Sequence, residues 1–151
     1  EASLTPRVFV GLDAASGDDR AGGSVGTFHQ LYPLGHAYLG YADAFGRQNL
    51  AAAQLGVQLT LTEATTFAAT AHAFRLMDRG DALYAVNGTV ARTGLASHDV
   101  GQEIDLLLTH RFDRHLDAYL GYSHLFTGSG LNGTGPTDDQ DFAYVGAGLV
   151  F

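Results

Sequence analysis

The sequence predicts an all-β chain of long antiparallel strands, each about the length that crosses a bilayer. Three observations carry that expectation. First, the segment Asp141–Phe151 (DFAYVGAGLVF) alternates strictly: Phe151, Leu149, Ala147, Val145 and Ala143 share one face, while Val150, Gly148, Gly146, Tyr144 and Phe142 share the other. Period-two alternation marks a strand, and about ten residues suffice for a tilted strand to span a bilayer. Second, the connections between such segments alternate between long and short along the chain. Third, 46% of the 151 residues are hydrophobic, yet no run approaches the roughly 18 apolar residues of a transmembrane helix. A half-buried strand of a soluble sandwich has the same period, so alternation alone leaves both architectures open.

The elements follow in order. The first strand is Pro6–Ala14, with Val8, Val10, Leu12 and Ala14 opposite Arg7, Phe9, Gly11 and Asp13. A Gly- and Asp-rich stretch runs from Ala15 to about Asn49. The second strand, Leu50–Leu61, sets Leu55, Val57, Leu59 and Leu61 against Gln54, Gly56, Gln58 and Thr60. After a tight connection at Thr62–Ala64, the third strand, Thr65–Leu76, opposes Phe67, Ala69, Ala71 and Ala73 to Thr66, Thr70, His72 and Phe74. A long loop, Met77–Asp99, precedes the fourth strand, Val100–Phe112, where Ile104, Leu106 and Leu108 face away from Glu103, Asp105, Thr109 and Arg111. The turn Asp113-Arg114-His115 leads into Leu116–Phe126, with Ala118, Leu120 and Tyr122 opposite Asp117, Tyr119, Gly121 and Ser123. The Gly-rich loop Thr127–Gln140 leads to the final strand.

An amphipathic strand ending on an aromatic residue looks like the terminal strand of a bacterial outer-membrane β-barrel. Such barrels have short periplasmic turns and long extracellular loops. Counted back from a periplasmic carboxy-terminus, both short turns fall in the periplasm and all three long loops fall outside. A sandwich imposes no such order. Six strands cannot close, because the smallest barrels of this kind use about eight, and open edges would expose unpaired amides to hydrocarbon. The expectation is therefore that residues 1–151 form the carboxy-terminal part of one larger barrel domain. The alternative is a hairpin hidden in Ala15–Asn49, where His36–Asp43 alternates weakly but lacks a partner of bilayer length. Arg75 shares parity with the apolar face at a strand end, which suits a side chain snorkelling to the interface.

Composition excludes several function classes. There is no cysteine, hence no disulfide framework and no thiol chemistry. The chain opens at Glu1 without a Met, a basic n-region or an apolar h-region, so it reads as a mature product or as a piece of a longer chain. All 8 basic residues are Arg, set against 16 acidic ones for a net charge of −8, a balance that argues against nucleic acid. The acids group as Asp18 and Asp19, Asp78 and Asp81, and Asp138, Asp139 and Asp141. They read as solvated loops, or as weak divalent-cation sites at a lipopolysaccharide surface; no spacing reproduces an EF-hand, so no metal is assigned. Adjacent Ser123 and His124 point to opposite faces of one strand, and Ser97 and Ser129 lie in loops with no His at a spacing that forces contact. No catalytic site is expected, and no cofactor.

Four segments carry a family resemblance: GLDAASGDD (Gly11–Asp19), TFHQLYPLGHAYLGYADAFGRQNL (Thr27–Leu50), HDVGQEID (His98–Asp105) and YSHLF (Tyr122–Phe126). Together they resemble the alginate export family of outer-membrane proteins, and PLGHAYLGYADAFGRQNL is the most specific block. The resemblance implies the last strands of a barrel of about eighteen strands, located in the bacterial outer membrane, that passes an anionic polysaccharide or small anionic solute through an Arg-rich lumen. The implied partners are that solute, outer-membrane lipid and lipopolysaccharide, and periplasmic secretion components. His36, Tyr38, Tyr41, Asp43, Gln48 and Asn49 would fold over the barrel mouth with Arg47 near them. Arg offers carboxylates a planar fork, and Gly35, Gly40 and Gly46 permit close turns. The lumen-facing set departs from a strongly cationic channel: Arg7 and Arg111 are basic, while Glu103, Asp105, Asp13 and Asp117 are acidic. The alternatives are a general or small-solute-specific diffusion porin and a soluble carbohydrate-binding β-sandwich.

Overall fold

In the computed structural model, residues 4–19, 23–36 and 38–151 are described. Strands form wherever the alternation is unbroken: β1 (Thr5–Ala14), β2 (Leu50–Thr62), β3 (Thr65–Leu76), β4 (Leu83–Tyr84), β5 (Val90–Arg92), β6 (Asp99–Arg111), β7 (Leu116–Thr127) and β8 (Gln140–Leu149). The six long strands match the expected ones to within two residues. The last stops at Leu149, leaving Phe151 beyond it and fully exposed. Two elements went unforeseen. The short β4–β5 hairpin sits within the loop expected to be irregular, closed by Asn87-Gly88 with Gly88 at φ +83°. Asn-Gly at positive φ is a hairpin turn signal, but strands this short show no alternation. The other is a 3₁₀ turn at Ser129–Leu131. The described residues of 36–43 form no strand; Ala37 lies outside the described residues, as do 20–22 within Ala15–Asn49.

The long strands form one antiparallel meander in the order β1-β2-β3-β6-β7-β8. Both short turns, β2–β3 and β6–β7, lie at one end of the sheet, and the three long connections lie at the other. This is the alternation expected from the connection lengths. Among the described residues the sheet is open, with β1 and β8 each paired along one side only. No helix is long and apolar enough to cross a membrane.

The two faces of the sheet differ in kind. The outer face presents Val8, Val10, Leu12, Leu55, Ile104, Leu106, Leu108, Leu120, Val145 and Leu149, all exposed. Arg75 lies exposed on this parity near the loop end of β3. The inner face carries the polar partners, and its loop end is covered. There Leu39, Phe45, Leu50, Phe74, Leu83, Leu95, Val100, Leu125 and Leu131 form the buried core. Their residues come from strand ends and from all three long loops, and the rings of Phe45 and Phe74 meet edge-on at 5.2 Å. A sandwich buries its apolar face and exposes its polar one. This sheet does the reverse.

Candidate functional site

The site is the inner face together with the segment 35–49 seated on it. Two inward carboxylates of β6 make the seat. Glu103, completely buried, accepts the Ala42 amide at 2.9 Å, and Asp105, 2% exposed, accepts the Tyr41 amide at 3.4 Å. Gly40 at φ +90° lets the backbone pass over them, since a Cβ there would collide with the Glu103 carboxylate. Asp105 also accepts the Ser123 hydroxyl at 2.6 Å and pairs with His72 Nε2 at 3.1 Å. Buried carboxylates are tolerated where donors converge on them, as donors from the loop, β3 and β7 do on Asp105. Glu103 takes the Ala42 amide on Oε1, and its Oε2 has no partner among the described residues.

The expected mouth residues divide into two groups. His36 pairs with Asp43 at 3.0 Å and meets the Tyr41 ring edge-on at 4.5 Å; Tyr41 continues to Tyr144 at 5.7 Å. Burial, and then the Asp105 carboxylate, raise the Tyr41 hydroxyl above the usual phenol range, keeping it a donor. Arg47 bridges Asp13 at 2.9 Å and lies over the Tyr38 ring at 5.3 Å, while its buried Nε has no partner among the described residues. Of these side chains, His36, Tyr38 and Tyr41 border a cavity of about 100 Å³ on the inner face.

Gln48 and Asn49 point instead into the loop core. Asn49, completely buried at φ +56°, donates to the carbonyls of Asp78 (2.7 Å) and Ala82 (3.0 Å) and accepts the Asp78 amide at 2.7 Å. Gln48 donates to the Gly88 carbonyl at 3.3 Å. Both tie the first long loop to the second. A neighbouring hub does the same: Asp81 accepts the Thr27 and Tyr84 hydroxyls and the Asp18 and Ala82 amides. Burial raises its pKa, but the four donors outweigh burial and hold the carboxyl below the usual range.

Arg7 lies exposed on the inner side of β1. Arg111, at the short-turn end of β6, is also exposed and reaches the Glu63 carbonyl at 3.4 Å. The two lie far from the carboxylate seat, so the structure does not gather the expected cations into one cluster.

Sequence reasoning missed His72, Ser123, Tyr144 and Phe9. Ser123 and Asp105 are equidistant from Arg114 in the short β6–β7 turn, a register the sequence allows. The His72–Asp105–Ser123 chain has the residue types of a hydrolase triad in the wrong order. A nucleophilic Ser needs the His as its base, with the acid behind the His. Here the acid sits between them and holds the Ser proton, so the arrangement locks polar groups in place rather than activating one. Ser123 and His124 do lie on opposite faces: Ser123 is buried inside, and His124 pairs outward with Asp141 at 2.8 Å.

No curated protein matches the chain. A family model described as Alginate export matches residues 1–145, nearly its whole length and all four segments of the resemblance. An exposed apolar face, a polar inner face and a loop seated on it agree with that match, and the chain belongs to the alginate export family.

Proposed function

We propose that the six long strands form part of the wall of a larger outer-membrane barrel that passes a polysaccharide, with segment 35–49 narrowing its lumen. The family is one of export rather than catalysis. The observation that carries the reading is the inverted sheet: its apolar face is bare while its polar face holds the loop and the cavities. A lipid-facing exterior requires that arrangement, and further strands pairing with β1 and β8 would satisfy the two open edges. The family supports an anionic polymer as cargo. Arg47 would lend the mouth less positive charge than its type implies, because Asp13 offsets it.

Arginine scanning of β6 tests the reading. Leu106 faces outward and Thr109 inward. Leu106→Arg should lower folding stability in lipid by about 2–4 kcal/mol, and Thr109→Arg by far less. The readout is the heat-modifiable folded band after refolding into liposomes. Equal losses for both variants would overturn the face assignment, and with it the membrane reading.

A further inference from the structure

Every glycine within the six long strands has inner-face parity, and at five of them a Cβ would strike the large inward side chain directly opposite on the neighbouring strand. Gly56 faces Phe9, Gly121 faces Tyr144 and Gly146 faces Tyr119; the other two face Gln54 and Asp117. In each aromatic pair, a Cβ on the glycine would collide with the ring atoms of its partner. The ring therefore lies across the bare backbone of the next strand instead of standing away from the wall. Laid down in this way, an aromatic side chain turns one π face to the sheet and the other to the space above it.

Ring packing accounts for Tyr144, half-buried against Tyr41 at 5.7 Å, but the Tyr119 ring is open and Phe9 is only half-buried. Tyr119 is 40% exposed, and Phe142, which stacks on Tyr144 at 5.4 Å, is 43% exposed. Across the inner face, Phe9 and Tyr41 flank a cavity of about 250 Å³ whose floor presents Gln58, Thr66, Thr70 and Thr109. Flat apolar platforms beside uncharged hydroxyl and amide groups match a sugar ring, which has an apolar C–H face and a rim of hydroxyls. Charges of both signs stand on this wall, Arg111 opposite Asp117 and Arg7 opposite Gln58 with Asp105 lining the cavity, so it offers a uronate no uniformly cationic surface.

Resting on the channel-wall reading above, we propose that Tyr119 and Phe9, each laid across a glycine, form stacking subsites for the pyranose rings of a glycan, reading the ring rather than its charge. Two such subsites on opposite flanks of the inner face let a chain move from ring to ring without one deep pocket to trap it.

The test is binding in detergent, independent of conduction. The folded protein is titrated with cellohexaose and, separately, with hexaguluronate, and binding is followed by calorimetry. Cellohexaose should bind at least as tightly as the uronate. Tyr119→Ala and Phe9→Ala should each weaken cellohexaose binding by about tenfold, whereas Tyr119→Phe and the outward Tyr122→Phe should leave it unchanged. Gly146→Ala keeps the Tyr119 ring but lifts it from the wall, and should weaken binding as Tyr119→Ala does. Absence of cellohexaose binding, tighter binding of hexaguluronate, or parent-like affinity in Tyr119→Ala would each overturn the proposal. If residues 1–151 bind with this pattern while a full-length barrel containing them fails to conduct in planar bilayers, the subsite stands and the channel reading falls.

Discussion

The two ends of the inner face are built from the same strands with the same alternation, yet they differ in packing. Toward the loop end, β6 carries Glu103 and Asp105, neither more than 2% exposed. Toward the turn end the same parity carries Leu107, Thr109 and Arg111, which remain half-buried or exposed beside open cavity. Strand patterning therefore decides which face a residue takes, and the loops decide whether that face is filled. At the loop end the inner face is a protein core, with apolar burial and carboxylates that take loop amides. At the turn end it is a lining.

The largest effect expected from breaking this contrast is at Phe74, 1% exposed under the loop core. Phe74→Ala should cost about 3–5 kcal/mol through lost burial and a cavity, while Thr66→Ala on the same strand and parity should stay within about 0.5 kcal/mol. Urea unfolding of the detergent-folded protein, followed by circular dichroism, compares the two.

Asn49 comes next. Asn49→Ala strands the Asp78 amide and two carbonyls in a buried site, with an expected loss of about 2–3 kcal/mol in the same assay. Gly40→Ala should cost about 1–2 kcal/mol, because it strains a positive φ and presses on Glu103. Gly94→Ala, at φ +69° with nothing near its Cβ, should cost less.

The smallest effect is the pH response of the Asp81 hub. Its folded pKa lies below the unfolded value, so its contribution is complete above the ordinary Asp range and fades as pH falls through the folded value. The protection of the Asp18 and Ala82 amides, measured as exchange relative to the intrinsic rate at each pH, should fall on acidification toward about pH 3. Asp81→Asn should lower that protection at every pH and flatten its pH dependence.

How much of this was legible follows from where each contact lies in the chain. The strands and their faces were readable because alternation is a local property, and the β3 boundaries, Thr65–Leu76, coincide with the expectation. The loop core was not, because Leu39, Leu83, Leu95 and Leu131 come from three loops with no shared period. The His72–Asp105 pair depends on register between β3 and β6, which are separated by a long loop that leaves pairing unspecified by length. The block 36–49 was expected to fold over the barrel mouth, and the split between cavity-bordering Tyr38 and Tyr41 and the buried ties Gln48 and Asn49 follows from contacts with the second long loop that have no sequence period. Asn49 adopts a conformation that non-Gly residues seldom take, and nothing in the sequence announces it.

The even number of long strands has a consequence for assembly. Thr5 of β1 and Leu149 of β8 emerge at the same end of the sheet, that of the short turns. A polypeptide inserted from that side delivers its strands as three hairpins, each hauling one long loop across ahead of it. The loop core contains residues from all three, Leu39, Leu83 and Leu131 among them, so it is completed only after the third hairpin has crossed. On the barrel reading, the Ser123 hydroxyl that β7 brings to Asp105 arrives only with that third hairpin.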